Sequence, residues 1–563
     1  MAGINPKEFL EELIFCLKKE DDVKTKALLQ FITNSEINVN VQKRALQELS
    51  KASEKFVFPI LEYLTTLEIP NPEIQDSLYE LILQKSYGNA DRIIKYIEQD
   101  DKNNRLIYIK VAGDFILSEA VPTLEKILQT SKETDTLIQT ATALGSIRIN
   151  SSIVALINLI ENCDDLTVKS AATFAIANIG GKSAVDYLIS LIKKSDNPEE
   201  IKLSIKALGE IQDQYALTQL ASLLGSTNSD VRYIAIDMLI EIGGKAVPIL
   251  TDATSDANSD FMVHLITTLG YIKDQKALPV ILDIMKAKPD DPNIRQAAYE
   301  SMEKIPSTKS AIALAIGIQD PVEAVRMSAA RAMDRNISKV LVAGLKNIVQ
   351  EENDDALNAV GALIDSESDN IFNFLLQEDS FIKLAVKHVT SKADKKTRNH
   401  FIGILRKKNQ QQLADKIIQM IPPEDNKKES GSDLAQIYVV DDSKMMLKLY
   451  ENKLTGFGYN ATSFMLPEEA IRQIYESKPD IVITDLNMPK INGIQLAKLV
   501  RKKYPSKELP IIMITTQSDI VEADSSQVSD TVLSSAGIDK VLHKPFSNEE
   551  LQAVIVKFLK ERR

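Results

Sequence analysis

Two textures of apolar patterning divide this chain. Up to about residue 421, apolar residues recur every three or four positions in stretches of about 10–16 residues. That spacing lines one face of a helix and predicts a run of amphipathic helices. From Leu434 onward the texture changes. Short β-branched runs at 437–440, 481–483, 511–514 and 540–542, with another strand near 460–464, alternate with helical stretches. The helices are expected at about 443–455, 467–476, 493–503, 525–536 and 547–560. Five strand–helix units with apolar strands predict a parallel sheet covered on both faces, an α/β doubly wound domain. Between the two textures lies Pro422-Pro423 followed by a polar stretch to Asp433. Two prolines end the preceding helix, and the polar residues cannot build a core. The expected organisation is therefore a helical part, 1–421, a linker, 422–433, and a sheet domain, 434–563.

The helical part repeats itself. Ile147, Ile179, Ile211, Ile242, Ile272 and Ile305 close similar segments and lie 32, 32, 31, 30 and 33 residues apart. Phe115 extends the series backwards and Asn336 forwards. Eleven residues before several of these anchors stands a β-branched residue followed by a basic one: Val168-Lys169, Val231-Arg232, Ile294-Arg295 and Val325-Arg326. After several anchors an alanine and an apolar residue follow, as in Ala184-Val185 and Ala277-Leu278-Pro279. Each repeat reads as two helices and a turn. One pair cannot bury its apolar face alone, so neighbours must stack into an all-α solenoid with an extended concave surface. The alanines and isoleucines read as core, and the basic partners as packing plus surface. The pattern resembles HEAT repeats of the short bacterial kind, the type also seen in phycobilin-lyase-like proteins. It is clearest over 110–340, with degenerate or capping units expected at either end.

Composition excludes several classes. With 44% hydrophobic and 26% charged residues the chain is too apolar for global disorder. There is no apolar run of about 18 residues, so no membrane span is expected. No secretory signal opens the sequence, and Cys16 and Cys163 cannot make a disulfide framework. A cytoplasmic location is therefore expected. The net charge of −12 argues against nucleic-acid binding. Residues 434–563 hold 17 basic and 17 acidic residues, so the whole excess falls on residues 1–433. His264, His388 and His400 stand apart there, with no ligand constellation. A solenoid of this kind is a scaffold for a protein partner rather than a chemistry.

The readable chemistry sits at the strand ends of the sheet domain, where doubly wound folds place their ligands. Asp441 and Asp442 follow the first strand and Asp485 follows the third. Thr515 follows the fourth, and Lys544, then Pro545, the fifth. Three carboxylates at one site repel one another, and a hard cation such as Mg²⁺ keeps them ionised. A lysine and a hydroxyl beside them make a cradle for a transferred phosphoryl group, for which an aspartate can act as nucleophile.

These segments, Val439-Val440-Asp441-Asp442-Ser443, 484–494 around Asp485, 513–517 around Thr515 and His543-Lys544-Pro545-Phe546, together resemble a CheY-like receiver domain of a response regulator. The resemblance covers about 434–563 and implies a flavodoxin-like, five-stranded parallel sheet. It implies that Asp485 is the phosphoryl acceptor and that Asp442, Asp485 and the backbone carbonyl of Asn487 bind Mg²⁺. Asp441 would contact the metal through water. Lys544 would pair with the phosphoryl oxygens and Thr515 would swing towards them. Asn487 and Gln517 would tune hydrolysis, Gly493 would fit the turn into the third helix, and the bond to Pro545 would be cis. His543 reads as a strand-end side chain. A histidine kinase or phosphotransfer protein is the implied donor.

Two departures stand out. The family's aromatic switch position is Val541 here, so the usual ring rotation has no ring. Thr515 to Lys544 spans 29 residues, with a polar insertion near 519–529. The expected function is a response regulator whose phosphorylation switches the protein interactions of the repeats, with no enzymatic activity beyond its own phosphotransfer and hydrolysis. A phosphate sink for a kinase is the alternative. A HEAT-like enzyme such as a chromophore lyase is a further one, though 1–421 offers no nucleophile or base constellation for it.

Overall fold

The computed structural model describes residues 6–33, 38–99, 102–195, 197–254, 258–421, 434–486, 488, 491–516, 536–544 and 546–560. The expected linker 422–433 and insertion 519–529 lie outside them, as does the helix expected at 525–536 except for Ala536, which sits in a turn. The chain forms two compact units, Met1–Ala216 and Leu217–Arg563. The compact division thus falls within the repeats, and the second unit holds repeat helices and the sheet domain together. Among the described residues no helix is long and apolar enough to cross a membrane.

In the first unit, helices Lys102–Asp114, Thr134–Ile147, Leu166–Ile179 and Pro198–Ile211 pack side by side, each against the next. Val121–Thr130, Ser152–Asn162 and Gly181–Lys194 connect them and pack against them. In the second unit the same arrangement runs through Ser229–Ile242, Ser259–Ile272, Pro292–Lys304, Glu323–Arg335, Asp354–Asp365 and Asp379–Ser391.

The anchors have a physical meaning. Each isoleucine from 147 to 272 is the last residue of its helix, and the next residue takes positive φ: Arg148, Gly180, Gln212, Gly243 and Lys273. Only at Gly180 and Gly243 is that left-handed turn free of Cβ strain. Fourteen residues before five of the anchors stand Asp165, Asn197, Asn228, Asn258 and Asp291, each accepting a backbone N–H of the first turn. The basic residue of the motif is more than surface. Arg232, Arg295 and Arg326 each donate to a carbonyl six residues earlier, those of Ser226, Pro289 and Asp320, and so clamp the turn before their own helix. Arg295 also forks onto Asp320 at 2.6 and 3.1 Å, tying one repeat to the next.

Successive helices approach through small residues at a fixed register. A Cβ on Gly113 would lie 3.0 Å from the Cα of Ala143, and one on Gly145 would lie 2.7 Å from that of Ala175. One on Gly270 would lie 2.4 Å from the hydroxyl of Ser301. Each glycine stands two residues before an anchor, and the residue it meets stands four before the next.

The sheet domain has strands β1 (Gln436–Val440), β2 (Asn460–Phe464), β3 (Ile481–Asp485), β4 (Ile511–Thr516) and β5 (Lys540–Lys544), all parallel in the order β2-β1-β3-β4-β5. Alternate strand residues face opposite sides. Ile437, Val439, Ile481, Ile483, Ile512 and Ile514 are covered by helices Lys444–Gly456 and Asn548–Lys560. Tyr438, Val440, Val482, Ile511 and Met513 are covered by Pro467–Glu476 and Gly493–Arg501.

Gly145→Ala should destabilise its helix by about 1–3 kcal/mol, because the added methyl meets backbone that cannot yield. Gly403→Ala, in helix Lys395–Lys407 with nothing within 4 Å of the new Cβ, should instead stabilise by up to about 1 kcal/mol from helix propensity. Hydrogen exchange of the amides of each helix reads both effects.

Candidate functional site

Three strand ends and one lysine make the site. Asp441 follows β1 directly, and its Oδ1 accepts the backbone N–H of Ser443 at 2.8 Å. Ser443 in turn caps helix Lys444–Gly456, its Oγ accepting the N–H of Met446 at 3.3 Å. Asp485 is the last residue of β3, a strand buried along its whole length. Gly493 packs against it so closely that a Cβ there would lie 2.3 Å from the Asp485 carbonyl oxygen. The glycine is thus set by this approach to Asp485. Helix Gly493–Arg501 is then started by Asn492 and Gln495 in a reciprocal cap.

Lys544, the last residue of β5, reaches across the strand ends. Its Nζ donates to Asp485 Oδ1 at 2.6 Å and lies 3.4 Å from Asp441 Oδ2. The lysine, Asp485 and Asp441 side chains keep only 18%, 10% and 3% of their exposure. Burial works to lower the Lys544 pKa, but Asp441 and Asp485 outweigh it and carry it well above the ordinary lysine value. Burial raises Asp441, opposed by Lys544 and by the Ser443 N–H. Thr515 is buried one residue from the end of β4, in register with His543. His543 is exposed at the strand end.

Asp442 is open to solvent on one side and stands over dense protein on the other. Loss of water from below, then the charges of Asp441 and Asp485, push its carboxyl up to about 8. The open side means that an ion can reach it and that solvent softens the repulsion. Asn487, Gln517 and Pro545 lie outside the described residues. Among the described residues no three His, Cys, Asp or Glu side chains draw close enough to hold a metal together in this arrangement. The donor chemistry nevertheless suits a hard divalent cation: two carboxylates meet one ammonium, and burial and their charges resist ionisation of Asp442 beside them.

Two aromatic residues, Tyr450 outside the sequence motifs and Phe546 within them, complete the surroundings. Tyr450 is buried, and its hydroxyl has no hydrogen-bond partner among the described residues. Burial raises its pKa, with Lys544 acting against and Asp441 and Asp485 adding to the rise. Its ring stacks on Phe546 at 6.1 Å and 6°. Helical spacing from Ser443 places Tyr450 two turns along the inward face, the one signal that marks it. In the repeats, His388 Nε2 lies 2.9 Å from Asp365, and His400 Nε2 lies 2.9 Å from Asp369. Each histidine thus has its own aspartate, drawn from an earlier helix or turn.

Because Asp442 titrates higher in the folded chain than near 4 in the unfolded one, the folded state holds the extra proton between those values. Metal-free stability should therefore be full near pH 4 and fall as pH rises towards 8. Asp442→Asn should flatten that fall and stabilise the metal-free protein at pH 8 by about 1 kcal/mol, the scale of a solvent-screened like-charge pair. Urea unfolding across this pH range, with and without Mg²⁺, measures both.

Residues 437–556 match the family model described as response regulator receiver domain. Residues 90–177, 153–239, 185–264 and 247–334 match HEAT repeats. Among solved structures, the chain is similar to the chemotaxis protein CheY4 of Vibrio cholerae, with 27% identity over 22% of this chain and 98% of that one, TM-score 0.20. It is similar to a Francisella response regulator receiver domain, with 27% identity over 23% and 99%, TM-score 0.20. A receiver domain protein from Clostridium thermocellum shows 25% identity over 23% and 97%, TM-score 0.20.

Proposed function

We propose, for a chain that carries HEAT repeats followed by a response regulator receiver domain, that Asp485 accepts a phosphoryl group and that this switches what the repeats hold. The observation that carries the reading is the pairing of Asp485 with Lys544 at 2.6 Å, with Asp441 3.4 Å from the same lysine. The donor is a histidine kinase or phosphotransfer protein. A carboxylate oxygen of Asp485 attacks the phosphorus. An O–P bond forms as the P–N bond breaks, and the imidazole nitrogen keeps the electron pair. Lys544 shifts its hydrogen bonding to the phosphoryl oxygens, and the Thr515 hydroxyl donates to another. Asp441, Asp442, Asp485 and the Asn487 carbonyl would hold Mg²⁺, which supplies charge neutralisation for the transferring group. Catalysis by this chain is confined to that transfer and to hydrolysis of the acyl phosphate. The repeats act as a scaffold for a protein partner in the cytoplasm.

Incubation with acetyl phosphate and Mg²⁺ should add one phosphoryl group by intact mass, and Asp485→Asn should add none. Uptake by the Asn variant, or none by the wild type with Mg²⁺ bound, overturns the reading. Slow decay of the phosphoryl group supports a switch, and rapid decay supports a phosphate sink.

A further inference from the structure

Within the second compact unit, the sheet domain shares a core with the repeats. Met327, on helix Glu323–Arg335, is 1% exposed and belongs to the same buried cluster as Met446, Leu447, Leu449, Tyr450 and Leu454 of helix Lys444–Gly456. Ala324 packs at its margin. Weak polar contacts surround this plug. Lys453 Nζ lies 3.9 Å from Glu323 and over the Phe546 ring at 5.6 Å. Lys396 Nζ lies 3.6 Å from Glu451, and Gln296 Nε2 lies 3.7 Å from Met446 Sδ. Two clefts of about 450 and 470 Å³ flank the plug. One is lined by Arg331, Lys396 and Glu451, the other by Arg326, His388 and Lys453. Among the described residues, one buried methionine with Ala324 at its margin, bordered by two clefts and ringed by partly exposed ion pairs, makes a contact of low strength.

This contact is wired to the phosphorylation site. Asp441 binds Lys544 with one oxygen and the capping Ser443 N–H with the other. Ser443 holds the N–H of Met446, and Met446 touches Gln296, whose amide also donates to Glu300 at 2.9 Å. Tyr450, beside Lys544 in the field of the site, lies in the same cluster as Met327 and stacks on Phe546, which carries Lys453. With Val541 in place of an aromatic switch, helix Lys444–Gly456 provides a route out of the site that needs none.

We propose that Met327 and helix Lys444–Gly456 form a latch between repeats and receiver, and that phosphorylation of Asp485 opens it. The proposal rests on the phosphoacceptor reading above. A phosphoryl group takes Lys544 away from the Asp485 oxygen it now holds, which disturbs Asp441 and through it the helix cap. It also adds negative charge beside Asp441 and Asp442, whose carboxyls already feel Glu300 of the repeats. Opening exposes the Met327 face of the repeats to solvent.

Hydrogen exchange of the full chain, with phosphoryl occupancy followed by intact mass, tests this. Phosphorylation should speed exchange in 446–454 and 323–335 by about tenfold, the scale of a local opening. Asp485→Asn should show no change. Met327→Asp should open the latch without phosphate. Glu323→Lys, an exposed and milder change, should open it in part. Full phosphoryl occupancy with unchanged exchange in both helices would overturn the latch while leaving the phosphoacceptor intact. Absence of phosphoryl uptake would overturn both. Closed behaviour in both repeat variants would show that Met327 does not hold the domains.

Discussion

Lys544 is the cation around which the sheet domain's strand ends are organised. It brings one buried positive charge to two buried carboxylates that no strand pairing could otherwise hold together. A carboxylate left alone at that depth would cost several kcal/mol or take up a proton. The parallel register brings β3 and β5 to end on one side, with β4 between them, so the lysine and Asp485 meet across a strand that contributes Thr515. The fold thus holds the Asp485 carboxylate desolvated and oriented by Lys544. Beside this pair, Asp442 is held towards its neutral form by burial beneath it and by the charges of Asp441 and Asp485.

The repeats solve a different problem. Their helices must approach closely enough to exclude water with modest side chains. Glycine two residues before an anchor meeting alanine or serine four before the next achieves this at Gly113, Gly145 and Gly270. Arginine forks into the preceding turns then fix where each helix begins. Close contact between neighbouring helices is what gives such an array rigidity.

Much of this was legible in the chain. A residue that ends a helix every 30 to 33 positions is a periodic signal, and periodicity survives without tertiary knowledge because each repeat faces the same packing demand. The strand–helix alternation after Leu434 was equally readable, because strands buried on both faces need continuous apolar runs. Asp441, Asp442, Asp485, Thr515 and Lys544 were recognisable as a set, since strand ends are where such a fold assembles polar groups. The capping Asp and Asn residues fourteen positions before the anchors carried the same period, but they look like ordinary turn residues until the first-turn N–H groups are in place.

Other features belonged to tertiary structure alone. The carbonyl partners of Arg232, Arg295 and Arg326 were not readable, because no side-chain pattern announces a bond to the backbone. Each of His388 and His400 meets an aspartate more than twenty residues earlier, a pairing that depends on how separate segments pack. Met327 was one apolar residue among many on an amphipathic helix. Its place in the receiver's core, against Leu447 and Tyr450, joins positions more than a hundred residues apart. Sequence periodicity determines which face of an element is apolar, because that follows from local geometry. What the face meets is decided by where the rest of the chain goes.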